Sequence, residues 1–229
     1  MPQNGIHAIV GTAVSRNWMP KKEWLLLGVV LGNMFPDLDN VLVAVATLQK
    51  QPTEQAMEIY HRTFTHSVFT ILVVLILFYI IAAVTKNQKW NNFGQGFGAG
   101  ILMHILVDLV LWFNGVALFW PLGGELNFWS WFEVSPALKV FLDTGEFLAF
   151  GLYCMLLVSL AGRQATNREY VNKVRMFAYI QFILFVLFTL LFFTVQMKLL
   201  ATIFGALYLL SMFYAIGLTI RMKDTIETV

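Results

Sequence analysis

Phe93-Gly94-Gln95-Gly96-Phe97-Gly98-Ala99-Gly100-Ile101-Leu102-Met103-His104-Ile105-Leu106-Val107-Asp108-Leu109-Val110-Leu111-Trp112-Phe113 decides the fold. At about 1.5 Å per residue, a run of this length matches the ~30 Å hydrocarbon thickness of a bilayer. It has no Lys, Arg or Glu; its titratable groups are His104 and Asp108, which their four-residue spacing places on one helical face. Ionisable side chains in a membrane interior are costly and mark function. Gly94, Gly96, Gly98 and Gly100 on the same run let a neighbouring helix approach closely.

The rest of the chain agrees. Of 229 residues, 59% are hydrophobic and 12% charged, against about a quarter charged in a soluble domain, so the chain belongs in a bilayer. Four further segments, 67–85, 136–161, 175–196 and 199–220, are long and apolar enough to span. Ser135-Pro136 starts the second of these as helix N-cap and first helical residue. Segments 4–16 and 23–35, either side of Arg16-Asn17-Trp18-Met19-Pro20-Lys21-Lys22, are short for spanning and read as a helical hairpin dipping into the membrane. Residues 40–60 read as a surface helix and loop. The expected fold class is all-α: a polytopic transmembrane helical bundle of five clear spans plus a short N-terminal helical hairpin. Residues 1–229 read as a single membrane domain, with 1–125 carrying the chemistry and 136–221 three further spans.

Several function classes fall away. A net charge of +2, dispersed along the chain, gives no basis for nucleic-acid binding. Cys154 stands alone, so neither a disulfide framework nor a thiolate zinc site is expected. The N-terminus does not read as a removable signal peptide. No Gly-x-Ser-x-Gly elbow, phosphate-binding loop or dinucleotide fingerprint occurs.

Positive charge orients the spans. Lys86 and Lys89; Arg163, Arg168, Lys173 and Arg175; and Arg221 and Lys223 fall on one side if the five spans alternate. The 114–135 loop, with Glu125 and Glu133 but no Lys or Arg, falls on the other. The positive-inside rule places the first set in the cytoplasm. Arg16, Lys21 and Lys22 join it if the hairpin turn points inward. Along a helix, Lys22 to Asp37 is then roughly 22 Å, Lys86 to His66 roughly 30 Å, and Lys89 to His104 and Asp108 roughly 22–28 Å. These motifs converge on the outer half of the bilayer, while His7 falls shorter, at about 14 Å from Arg16.

All four histidines lie in short polar motifs: His7; His61-Arg62-Thr63-Phe64-Thr65-His66-Ser67, after Pro36-Asp37-Leu38-Asp39; and His104-x-x-x-Asp108. Imidazole and carboxylate suit Zn²⁺, Mn²⁺ or Fe²⁺. The candidate metal ligands are His7, Asp37, Asp39, His61, His66, His104 and Asp108: too many donors for one tetrahedral ion and about right for two. Of Asp37 and Asp39, at least one is read as a ligand and the other as the partner that orients a histidine. His61 and His66, five apart, cannot share a helical face, and Thr65 is the expected cap of the following span. Arg62 is the candidate for neutralising a substrate phosphate with its forked donors; Arg62 and Asp39 are the candidate catalytic residues. Asp143 and Glu146 lie within a later span, Asp143 four residues from Lys139.

The ordered set His7, Pro36-Asp37-Leu38-Asp39, His61-Arg62-x-x-Thr65-His66-Ser67, His104-x-x-x-Asp108 and Trp120-Pro121 resembles the YdjM-type family of bacterial inner-membrane, metal-dependent hydrolases. It is more distantly similar to zinc-dependent phospholipase C. The latter likeness implies one ion on Asp37, His66, His104 and Asp108, with Asp108 bridging to a second near His7. The chain lacks the further His, His and Glu set of the three-zinc enzymes, so at most two ions are implied. Leu111 stands where the family pattern has a small hydroxyl residue, and Asn114-Gly115 comes one residue late. Together these readings imply a multi-pass inner-membrane hydrolase with one or two divalent transition-metal ions, Zn²⁺ or Mn²⁺. Membrane lipids would be its partners, and a lipid or lipid-linked phosphoester its substrate. A metal-ion transporter and a non-catalytic protein with a structural metal are the alternatives. The first predicts polar residues continuing to the cytoplasmic side; the second predicts a closed set of four protein ligands.

Overall fold

The computed structural model describes residues 4–195 and 198–228. The chain is helical: α1 Asn4–Trp18, α2 Leu25–Met34, α3 Asn40–Leu48, α4 Thr53–Tyr60, α5 Val68–Thr85, α6 Gln88–Leu111, α7 Pro136–Gln164, α8 Arg168–Thr194, α9 Lys198–Arg221 and α10 Lys223–Glu227. Among the described residues the only β pairing is a single antiparallel bridge, Val116 with Leu126. The all-α polytopic expectation holds.

The number of spans is higher than the sequence reading gave. Six helical stretches have the length and apolar content to cross a membrane, the added one being Leu25–Leu48. The reading stopped it at Pro36, but the helix does not stop there. Phe35, Asp39 and Asn40 all keep right-handed helical dihedrals, and a 3₁₀ turn, Pro36–Asp39, carries α2 into α3. Proline is tolerated because it opens that turn, where its missing N–H is not needed. Residues 40–48 are therefore the second half of a candidate span, not part of a surface segment.

Two compact units divide the chain: Gly11–Glu133, and Val134 onward with the N-terminal stretch through Val10. In the first, α2 and α6 meet through glycines. A Cβ on Gly32 would overlap the Phe97 carbonyl oxygen and stand 2.7 Å from its carbon, and one on Gly96 would overlap the Leu25 carbonyl and stand 3.0 Å from Val29 N. This backbone-to-backbone approach is what small residues at four-residue spacing permit in membrane helices. α5 closes the other side of α6, with Val74, Ile101, Ile105 and Leu109 forming a core beneath Phe35, Phe78 and Phe97. Its outer residues Leu72, Val73, Ile76, Ile80 and Val84 are exposed and suited to lipid. Ser67, rather than Thr65, caps α5: its Oγ accepts from the Phe69 N–H at 3.2 Å. The Arg16–Glu23 and Lys86–Lys89 connections lie side by side, with Lys89 paired to Glu23 and Trp24 edge-on to Trp90.

The second unit is built on α7, α8 and α9. Ser135 caps α7 by accepting from the Leu138 N–H at 3.3 Å, with Pro136 in its first turn, as expected. Phe147, Phe188 and Phe204 pack edge to face and tilted at the centre. Two polar pairs link these helices, Tyr153 with Thr219 at 2.8 Å and Gln181 Nε2 donating to Ser211 at 3.1 Å. Glu146 accepts from the Gly5 N–H at 3.4 Å.

Candidate metal centre

The centre forms at one end of the Gly11–Glu133 unit. Asp37 comes from the turn joining α2 to α3, His66 from a 3₁₀ turn, Phe64–His66, just before α5, and His104 and Asp108 from the last two turns of α6. His66 Nε2 and His104 Nε2 are 3.0 Å apart. Asp108 Oδ2 lies 3.5 Å from the first and 3.8 Å from the second. These three residues form one donor group, all buried. Asp37 Oδ1 reaches His104 Nε2 at 3.7 Å.

The opposite ring nitrogens are already committed. His104 Nδ1 lies 2.7 Å from the Asn33 carbonyl oxygen, which can only accept, so that nitrogen carries a proton. Thr65 donates its hydroxyl to Asp39 Oδ2 at 2.8 Å, which leaves its oxygen to accept from His66 Nδ1 at 2.9 Å. Both tautomers, assigned from their acceptors, turn Nε2 lone pairs toward each other and toward Asp108. With both rings neutral such an arrangement is repulsive, and either a proton on His66 Nε2 or a metal cation between the donors relieves it. With metal–ligand bonds of about 2.0–2.1 Å, a tetrahedral site has donor–donor edges of roughly 3.3 Å, within the observed spread.

Net charge points the same way. Asp37, Asp39 and Asp108 are all buried, and the buried cation among them is Arg62, whose Nε is 3.0 Å from Asp108 Oδ2. Three carboxylates against one guanidinium leave the cluster two formal charges short of neutrality, the charge of one divalent cation. Buried charge without compensation is strongly unfavourable. The metal-free protein compensates in part through His66. Burial disfavours its charge, but the hydrogen-bonding carboxylates of Asp108 and Asp39 outweigh that and raise its pKa to about 9. His61 goes the other way: burial lowers it to about 4 despite its bond to Asp39.

Asp39 stands behind the donors. Its Oδ1 meets His61 Nδ1 at 2.8 Å, and its Oδ2 accepts from the Arg62 N–H at 3.0 Å as well as from Thr65. It fixes the His61–His66 segment as a carboxylate partner fixes a ligating histidine. Arg62 holds a left-handed backbone, φ 60°, rare for a non-glycine residue. The Asp39 bond to its N–H, and the Ala117 N–H bond to its carbonyl at 3.0 Å, hold it there. His61 Nε2 is buried without a hydrogen-bond partner among the described residues. His61 lines a cavity of about 450 Å³ together with Glu58, Arg62, Asn114, Glu125 and Asn127.

Of the seven candidate ligands, the Gly11–Glu133 unit thus gathers His66, His104 and Asp108 with Asp37 beside them, and places Asp39 and His61 behind and to the cavity side. His7 is fully buried on α1, in the other compact unit. The sequence reading missed three supports. Asn33 acts through its backbone carbonyl and leaves no side-chain signal. Thr65 was read as a cap. The Gly28-x-x-x-Gly32 spacing that pairs α2 with α6 was present in the sequence but unused.

The family described as YdjM inner membrane protein matches residues 1–199. No curated protein and no solved structure matches the chain. The chain belongs to that family, as a multi-pass membrane protein carrying a His/Asp group that could hold a metal ion.

Proposed function

We propose that this member of the YdjM inner membrane protein family is a metal-dependent hydrolase acting on a phosphoester of a lipid or lipid-linked substrate. The observation that carries the reading is the buried donor group His66, His104 and Asp108, joined through the Arg62–Asp108 pair to a cavity that Arg62 and His61 help to line. Catalytic zinc sites keep a position open to substrate, so this reading requires Asp37, 3.7 Å from His104 Nε2, to stay outside the ion's ligand set or to yield to substrate. A divalent ion held there supplies Lewis acidity and lowers the pKa of water toward neutrality. Zn²⁺ and Mn²⁺ both suit the donors.

The chain's own groups do the rest. Asn33 and Thr65 keep the Nε2 lone pairs of His104 and His66 turned inward. Asp39 braces the His61–His66 segment. Arg62, paired through Nε with Asp108, lines the cavity and keeps Nη2 buried and without a hydrogen-bond partner among the described residues; its guanidinium would neutralise a phosphoryl oxygen. The basic residues Lys21, Lys22, Lys86 and Lys89 cluster at the far end of the unit, so the positive-inside rule supports a site in the outer half of the bilayer. There a lipid headgroup could enter sideways.

The test is elemental analysis of the purified, detergent-solubilised protein beside His104→Ala, followed by a screen of lipid phosphoesters in mixed micelles. Bound transition metal and phosphoester turnover, both lost in His104→Ala, are expected. Metal and turnover retained in that variant would overturn the assignment.

A further inference from the structure

Resting on the hydrolase reading, we infer that the cavity beside the centre selects phosphoesters whose alcohol portion carries a positive charge, an amine-bearing headgroup rather than a neutral polyol. The cavity is polarised along its depth. At its base, His61 and Arg62 are both at least nine-tenths buried, and His61 Nε2 and Arg62 Nη2 have no hydrogen-bond partner among the described residues. Arg62 Nη2 is a donor and costly to bury unless a ligand or solvent satisfies it, whereas neutral His61, its Nδ1 proton given to Asp39, offers Nε2 as an acceptor. At its rim stand two exposed carboxylates, Glu58 from α4 and Glu125 from the loop after α6, with the Asn114 and Asn127 amides among them. Arg62, the cation in this lining, is already engaged with Asp108. A ligand negative at one end and positive at the other matches both levels of the site.

The position of Glu125 is set by an absent atom. A Cβ on Gly115 would occupy the space now filled by the Glu125 Oε1, Cδ and Cγ atoms. The backbone pairing of Val116 with Leu126, N–H to carbonyl at 3.0 Å in both directions, brings the two residues together. Glycine at 115 thus lets the carboxylate lie flat against the chain at the cavity wall. An alanine there displaces the carboxylate without removing its charge, and the flexible side chain can yield without refolding the loop.

The experiment compares short-chain phosphatidylethanolamine with phosphatidylglycerol, titrated by calorimetry into the detergent-solubilised, zinc-supplied full-length protein, with turnover of both followed in parallel. The wild type should bind the amine-headed lipid more tightly by about fivefold, the upper range for a partly exposed ion pair. Glu58→Gln, Glu125→Gln and Gly115→Ala should each bring the ratio toward one while leaving bound zinc unchanged. Equal affinities in the wild type, or a preference that survives all three substitutions, would overturn the inference. Turnover of both lipids without preference overturns it while leaving the hydrolase reading standing. A preference lost in the variants, with no turnover of either lipid, supports the headgroup site and removes the hydrolase reading.

Discussion

Gly100→Ala tests how the metal centre is held, from a position that touches no donor. Its new Cβ would overlap the Val29 carbonyl oxygen and stand 2.6 Å from Asn33 N and 2.8 Å from Gly32 C, where ordinary contact begins at 3.4 Å. The atoms met are backbone, so no side chain can swing aside, and α2 and α6 must part by at least about 0.8 Å at this crossing. His104 lies one turn further along α6, bonded to the Asn33 carbonyl at 2.7 Å. The same displacement takes that bond to about 3.5 Å, beyond useful hydrogen-bond geometry. Metal sites tolerate only about 0.2 Å of error in ligand position. Losing the group that orients a ligating histidine typically costs 10–100-fold in metal affinity. The overpacking itself should cost about 1–3 kcal/mol of stability. The assay is zinc content and affinity by competition with a chromogenic chelator, with thermal unfolding in the same detergent. Gly205→Ala is the comparator: nothing lies within 4 Å of a Cβ there, and alanine is the better helix former. Full metal affinity and a wild-type unfolding midpoint in Gly100→Ala would refute the view that the glycine crossing holds His104 in place.

Thr65→Val keeps the side chain's shape but removes the hydroxyl that bridges Asp39 and His66, leaving only their direct 3.4 Å contact; metal affinity should fall by about tenfold, read by the same chelator competition, with little change in the helix content of circular dichroism. Metal uptake should depend on pH through His66, which holds its proton below about 9 when metal-free and must lose it to coordinate. Affinity should therefore rise with pH toward 9 by up to about tenfold per unit, with a proton released near pH 7, measurable by calorimetry in buffers of different ionisation enthalpy; a flat profile from pH 7 to 9 would contradict it. His61, lowered to about 4, should add nothing to that profile above pH 6. Trp131 and Phe128, exposed on the loop between α6 and α7, should sit at the headgroup level as interfacial aromatics do. In a variant whose other tryptophans are replaced by phenylalanine, Trp131 emission should be quenched most by bromine placed high on the acyl chain.

Apolar length made the fold legible. Segments such as 67–85 and 93–113 leave an isolated chain no other way to satisfy its backbone in lipid. The first span was harder, because proline usually ends a helix and Pro36 here only opens a 3₁₀ turn, which dihedral angles reveal and residue names do not. His104 and Asp108 were readable as a pair from their spacing alone. The division of labour between Asp37 and Asp39 was not, because both precede α3 within one turn and only the tertiary approach of the His61–His66 segment separates them. Asn33 was invisible for a deeper reason: any residue supplies a carbonyl, so its role depends on where the Gly32–Gly100 crossing puts it. Glu125 carried no motif, and only the space left by Gly115 gives it a place.

The glycine crossing also bears on how the protein is made. The least apolar of the six candidate spans are the two that cross, Leu25–Leu48 and Gln88–Leu111, while the most apolar, Val68–Thr85, is synthesised between them. Asn33 and His104 are 71 residues apart. The first span thus leaves the ribosome carrying buried polar groups whose partners have not yet been translated, and its entry into lipid alone is penalised for each of them. Its stable insertion must wait for the later helix to arrive and for the α5 segment to fix the pair. The donor group is complete only once α6 is in place, so any metal loading follows the insertion of both crossing helices.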